Sequence, residues 1–250
     1  MEKINLKTEE EIVKMAQCGK KLNFVKNELK KAVRVRANAL EIEELAQKLI
    51  KKVGGKPSFA MVKGYHWATC VNVNEGLVHG IPKKEVVFKK GDVVSVDVGL
   101  YDGGFHTDTS FTVGLGVTPK IELFLKTGEK ALKKAISCAK EKNRIYDLSK
   151  AIEDQIKQDG FTPIYALVGH GVGRALHEEP AIPCFTQGKK EDSLQIKNGL
   201  VLAIEVMYTM GDAEVEIDKD GWTILMRDGK ISALYEETVA VTRSGPCVLT

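Results

Sequence analysis

The sequence predicts an α/β (α+β) fold made of two consecutive helix–helix–sheet units packed as a single domain over residues 1–250, with halves of about 1–115 and 116–250. Hydrophobic spacing changes from helical to alternating twice along the chain, in the same order each time. No Gly/Ser-rich or Pro-rich linker separates the two copies. With 250 residues and 43% hydrophobic content, the chain can bury a substantial core.

The elements follow in order. Thr8 and Glu11 form a capping box, and Ile12, Met15, Leu22, Val25 and Leu29 carry a first helix to about residue 33. Asn38 with Glu41 caps a second helix whose apolar face is Ile42, Leu45 and Leu49, stopping at Gly54-Gly55. Strand-like segments run from about Trp67 to Val113. Thr118-Pro119 reads as an N-cap and first-turn proline for a third helix bearing Ile121, Leu125, Leu132 and Ile136. Leu148, Ile152 and Ile156 mark a fourth, ended by Gly160. Strand-like segments then return from Tyr165 to Leu249.

Within the first sheet, Val93–Gly99 alternates, with valines on one face and Ser95, Asp97 and Gly99 on the other, as in a half-buried strand. An Asp102-Gly103 hairpin turn would place Asp97 directly opposite Asp108, with Cβ atoms about 5 Å apart. Two carboxylates that close repel: either one holds a proton, as in an acid-protease dyad, or a cation lies between them.

Three further residues favour the cation. Glu205 interrupts the apolar run Val201–Met207, and Glu236 sits just before the strand-like Thr238–Val241. A lone carboxylate in such a run costs several kcal/mol unless it is paired or bound to metal. His170 lies between Gly169 and Gly171, where small neighbours admit a ligand close to the imidazole. Asp97, Asp108, His170, Glu205 and Glu236 make an oxygen-rich set suited to Mn, Fe, Co or Zn, and two such ions can share bridging carboxylates. The glycine-rich run around His170 lacks the Gly-Lys-Ser/Thr ending of a phosphate loop, so that reading is discarded.

Composition narrows the setting. The first residues have no apolar signal-peptide core, and no later run approaches the length of a membrane helix, so a cytoplasmic protein is expected. Five scattered cysteines with no Cys-x-x-Cys pair argue against disulfides and a thiolate zinc site. Net charge is only +3, yet residues 1–60 hold 14 Lys and Arg against 8 Asp and Glu. A solvated helix face is the favoured account of that surplus; the alternative is a surface for polyanionic RNA such as the ribosome. Neither a DNA nor a membrane partner is expected, and a monomer is the default.

At this point seven blocks, in order and at compatible spacing, carry a resemblance over essentially the full length. They are Ala68–Glu75, Val78–Pro82, Gly91–Asp97, Thr107–Ser110, Gly169–Gly173, His177–Pro180, and Gly221–Thr223 leading to Tyr235-Glu236. The chain resembles the type I methionine aminopeptidases, metallopeptidases of the pita-bread fold. That resemblance implies a pseudo-two-fold arrangement of the two halves, with a curved, mostly antiparallel sheet and helices on its outer face. It also implies two divalent metal ions held by Asp97, Asp108, His170, Glu205 and Glu236, Asp108 and Glu236 bridging. A metal-held hydroxide would attack the first peptide bond of peptides and nascent polypeptides that begin with methionine, favouring a small second residue. Glu205 would pass a proton to the departing amine, His177 would stabilise the oxyanion, and His79 would hydrogen-bond the scissile amide. Phe59, Tyr65, Cys70, Leu176 and Trp222 would line the methionine pocket, with His79 and His177 also touching substrate.

Three positions depart from the pattern. Val206 replaces a frequent proline after Glu205, Glu237 replaces a frequent histidine and adds negative charge near the site, and Leu176 replaces a frequent phenylalanine. None removes a ligand. Xaa-Pro aminopeptidases and prolidases share the fold but usually carry an extra N-terminal domain, and type II enzymes carry a long insertion in the second half. A non-catalytic pita-bread protein that binds nascent chains or RNA would be expected to have lost ligands. Phosphoester hydrolysis would call for an arginine clamp, and none is evident.

Overall fold

The computed structural model describes residues 4–250. Its helices are α1 (Glu9–Ala32), α2 (Ala39–Lys52), α3 (Pro119–Cys138) and α4 (Ile145–Gln158). The Thr8–Glu11 capping box forms in both directions, and Asn38 accepts from the Glu41 amide. Thr118 makes no side-chain cap bond, so the start of α3 rests on Pro119 in the first turn, whose missing N–H would have been unsatisfied there anyway.

The strands of the first half are β1 (Lys56–Pro57), β2 (Thr69–Val73), β3 (Gly76–Val78), β4 (Val93–Asp102) and β5 (Phe105–Gly114). Those of the second are β6 (Thr162–Pro163), β7 (Val168–Gly171), β8 (Glu178–Pro183), β9 (Val201–Thr209), β10 (Val215–Ile217), β11 (Ile224–Met226), β12 (Ser232–Thr242) and β13 (Gly245–Val248). One sheet runs in the order β1-β4-β5-β12-β9-β7-β8, with β2 also on β4, β6 on β9 and β13 on β12; β10, β11 and β3 form a small second sheet. The pairings among the described residues are antiparallel. The β5–β12 pairing joins the two halves, so residues distant in sequence meet at the middle of one sheet.

Two expectations are corrected. The hairpin turn is Gly103-Gly104, not Asp102-Gly103: Asp102 pairs with Phe105, and both glycines take positive φ, +59° and +90°. A two-residue turn of this hand needs φ > 0 at both central positions, and Gly103-Gly104 meets that with no Cβ at either. Asp97 therefore faces Ser110, and Asp108 faces Gly99. A slip of two residues keeps every side chain on its expected face, so the two aspartates stay diagonal neighbours. Second, Glu236 lies inside β12 rather than before a strand, because the ladder with β9 extends back to Ser232.

The helices cover one face. Leu22, Val25 and Leu29 of α1 and Ile42 and Ala46 of α2 bury against Val94, Val96, Val98 and Leu100 of β4. In the second half, Phe124 and Ala131 of α3 and Leu148 and Ile152 of α4 meet Leu202, Ile204 and Val206 of β9. Side chains alternate across a strand, so the intervening Asp97 and Glu205 project to the face away from the helices. That face is covered too: Ser95 and Gly99 are buried, which makes β4 more enclosed than a half-buried strand.

Candidate metal and peptide site

Strand register builds the site. Cys70 pairs with Asp97, Asp97 with Ser110, Ser110 with Glu236, and Glu236 with Glu205, one continuous row across β2, β4, β5, β12 and β9. Asp108 stands two residues from Ser110 on the same face of β5. His170 of β7 pairs with Ala203, placing its ring diagonally beside Glu205. Three carboxylates of the row and Asp108 thus converge although they come from four different strands.

Distances agree with a shared centre. One ligand atom each from Asp108, His170 and Glu236 lie within 4.8 Å of one another. His170 Nε2 is 3.5 Å from Glu205 Oε1. His170 Nδ1 donates to the Gly171 carbonyl at 2.8 Å, a tautomer that leaves the Nε2 lone pair facing that carboxylate. Burial pushes the His170 pKa down to about 4, so the ring is neutral. A lone pair aimed at a carboxylate is unfavourable unless a proton or a metal cation lies between them.

The carboxyls report the same strain. Burial, then repulsion from Asp108 and Glu205, raises Asp97 well above its ordinary range. Burial raises Asp108 to about 7, and burial followed by the Asp108 charge raises Glu205. Glu236 rises through burial and then Asp108, Glu205 and Asp97. Asp97 Oδ1 and Glu236 Oε1 are buried without any hydrogen-bond partner. Orphaned carboxylate oxygens beside an unprotonated imidazole nitrogen suit divalent cations and fit little else, so the residues present match a metal centre.

The five residues share one cavity of about 150 Å³ with Phe59, Tyr65, Cys70, His79, Leu176, His177 and Trp222. Every residue expected to bind metal, act in the reaction or line the methionine pocket therefore faces the same space. Tyr65 sits edge-on to Trp222 at 5.1 Å between ring centroids, and with Phe59, Cys70 and Leu176 it forms a small apolar cluster. His177 packs edge-on to His170 at 4.5 Å, and burial lowers the pKa of both His177 and His79. His79, just after β3, holds a left-handed backbone at φ +58°, an uncommon conformation, and lines the cavity.

Val62 and Val78 also line the cavity; Val62 carried no polar or motif signal, and Val78, though inside the Val78–Pro82 block, was not expected to face the site. The added charge of Glu237 does not enter it. Adjacent strand residues point to opposite faces, and Glu237 meets Lys26 Nζ at 2.7 and 2.8 Å on the helix side, with the Thr250 hydroxyl donating to it at 2.6 Å.

An antiparallel duplicated α/β sheet with helices on one face and a buried carboxylate–imidazole cluster on the other defines a metal-dependent enzyme class. Within that class the chain belongs to metallopeptidase family M24, whose family model matches residues 13–243. It is 39% identical over 248 residues to the methionine aminopeptidase of Clostridium perfringens, covering 99% of this chain and 98% of that one. Methionine aminopeptidase 1 of Bacillus subtilis is 37% identical, with 98% of each chain covered. The crystal structure of a Thermotoga maritima methionine aminopeptidase superposes with TM-score 0.96 at 39% identity, over 99% of both chains. A Pyrococcus furiosus prolidase matches with TM-score 0.78 at 22% identity, covering 98% of this chain and 65% of that one, a likeness of fold alone. The pita-bread architecture expected from the resemblance holds, as does membership of a peptidase family that uses divalent metal.

Proposed function

We propose that this chain removes the N-terminal methionine from peptides and nascent polypeptides whose second residue is small. The observation that carries the reading is the convergence of four carboxylates and one neutral imidazole on a single cavity whose other wall is apolar. Full-length similarity to enzymes named methionine aminopeptidase supports it.

Asp97, Asp108, His170, Glu205 and Glu236 would hold two divalent ions, Mn, Fe, Co or Zn. When bound, such metal supplies an acidified water near neutral pH and a Lewis acid for the substrate carbonyl. Phe59, Tyr65, Cys70, Leu176 and Trp222 receive the methionine side chain, whose flexible thioether packs well against the Tyr65 and Trp222 rings. His79 hydrogen-bonds the scissile amide and orients it. His177 places an imidazole N–H where negative charge develops on the carbonyl oxygen. Glu205 moves a proton from the attacking water to the departing amine. The same reading has the chain act in the cytosol as a monomer.

The test is metal-dependent release of free methionine from Met-Ala-Ser by protein stripped of metal and reloaded anaerobically with each ion. Leu-Ala-Ser, Ala-Pro-Ala and N-formyl Met-Ala-Ser serve as controls. Cleavage of the first peptide only is expected. Cleavage of Ala-Pro-Ala instead would move the chain to prolidase chemistry, and silence with every metal in folded, metal-binding protein would overturn the enzymatic reading.

A further inference from the structure

The structure assigns a positioning role to Lys7: through Glu178 it holds the loop that presents His177 and Leu176 to the cavity. This inference rests on the part given to His177 in the proposed reaction.

Lys7 Nζ meets Glu178 Oε2 at 2.5 Å, and both side chains are only 4% exposed. A buried ion pair costs desolvation of both charges, so it is a weak source of stability and its presence calls for another account. Glu178 directly follows His177 and opens β8. Its second oxygen accepts from the Ala175 amide at 3.2 Å, drawing the Gly173–Glu178 turn together around Leu176 and His177. The Lys7 backbone is itself anchored, its N–H donating to the Gly199 carbonyl at 2.8 Å at the approach to β9, the strand that carries Glu205. Lys7 Nζ also donates to the Asn5 carbonyl at 3.1 Å.

The fit is tight. A Cβ added at Gly173 would fall 2.3 Å from Lys7 Cε and 2.8 Å from Glu178 Oε1, so the loop has closed onto the lysine stem. From the other side His106, on the strand of Asp108, donates its backbone N–H to the Gly173 carbonyl at 2.7 Å. The segment Asn5–Glu11 therefore lies across the back of this loop as a strap, and its only deeply buried charge is Lys7. A second ion pair on the strap, Glu11 with Arg174 at 2.6 Å, joins the same two segments, but the Arg174 side chain is 69% exposed. Exposed pairs contribute little, which makes it a matched control.

The experiment measures kcat and KM for Met-Ala-Ser, metal per chain and thermal unfolding for Lys7→Met, Lys7→Arg, the neutral pair Lys7→Met/Glu178→Gln, and Glu11→Gln. The double variant strands no charge and covers the case in which Lys7→Met alone does not fold. Expected are a fall of at least about tenfold in kcat for Lys7→Met and for the double variant, KM within about threefold of wild type, and unchanged metal content, because the five ligands are untouched. Lys7→Arg should recover part of the loss, and Glu11→Gln should keep wild-type kcat. A folded double variant with wild-type kcat would overturn the assignment, as would equal losses in Glu11→Gln and Lys7→Met. Absence of methionine release by the wild-type chain would instead defeat the proposed function, a separate result.

Discussion

Glu205 and Glu236 lie directly opposite each other on β9 and β12, two carboxylates on one face of one antiparallel pair. Like charges so placed destabilise a sheet, and here both are drawn out of water as well. Without metal, Glu205→Gln should therefore raise the melting temperature at pH 8, by about 1–2 kcal/mol of stability or several degrees. The same variant should lose most of the stabilisation that added Mn gives the wild type. Scanning calorimetry with and without metal reads both, and a metal-free variant melting below the wild type would contradict the repulsion argument.

The pH dependence of the metal-free protein follows from the raised carboxyls. An acid whose folded pKa exceeds its unfolded value binds more protons when folded, so its stabilising contribution is complete below the unfolded pKa of about 4 and is lost as pH rises through the folded one. For Asp108 that loss runs up to about pH 7, and Asp97, Glu205 and Glu236 shift in the same direction. Metal-free stability should fall from pH 5 to pH 8 in urea titrations, whereas saturating Mn should remove or reverse the slope because metal needs the deprotonated ligands. Parallel slopes with and without metal would sink this account.

His177 touches the cavity but stands outside the carboxylate cluster. His177→Ala should lower kcat by about 100-fold while leaving metal stoichiometry near that of wild type. Metal content by elemental analysis, measured beside turnover, decides it; loss of an ion would make His177 a ligand.

Leu176 shapes the apolar wall, where it is only 8% exposed. Leu176→Ala should cost about 2–3 kcal/mol of stability and enlarge the cavity, so that KM for Met-Ala-Ser rises and Phe-Ala-Ser gains relative turnover. An unchanged Met-to-Phe ratio would remove Leu176 from side-chain recognition.

The glycine turn shows how far local rules reach. Parity along Val93–Gly99 and Phe105–Phe111, with a two-residue turn between them, was enough to put Asp97 and Asp108 on one face, because either two-residue turn keeps the same odd–even pairing. Choosing between Asp102-Gly103 and Gly103-Gly104 needed backbone torsions, since both dipeptides suit the same turn type. His106 could have been found by the same parity, lying on the Asp108 face of β5, but nothing in sequence tells of the Gly173 carbonyl it meets. The Lys7–Glu178 pair, 171 positions apart, carried no signal at all.

Sequence by itself determined the helices, the duplicated order, the facing of each strand and the candidate carboxylate–histidine set, because caps, hydrophobic period and the cost of a charge in an apolar run are local properties; the apolar pocket residues were legible only through family resemblance. Tertiary structure alone decided the row from Cys70 through Asp97, Ser110 and Glu236 to Glu205, the hidden pairing of Glu237 with Lys26, and the strap over the His177 loop. Those depend on which strand edges and which charged ends meet across the β5–β12 seam and the N-terminal segment, and such meetings are set by packing of the whole chain rather than by any stretch of it.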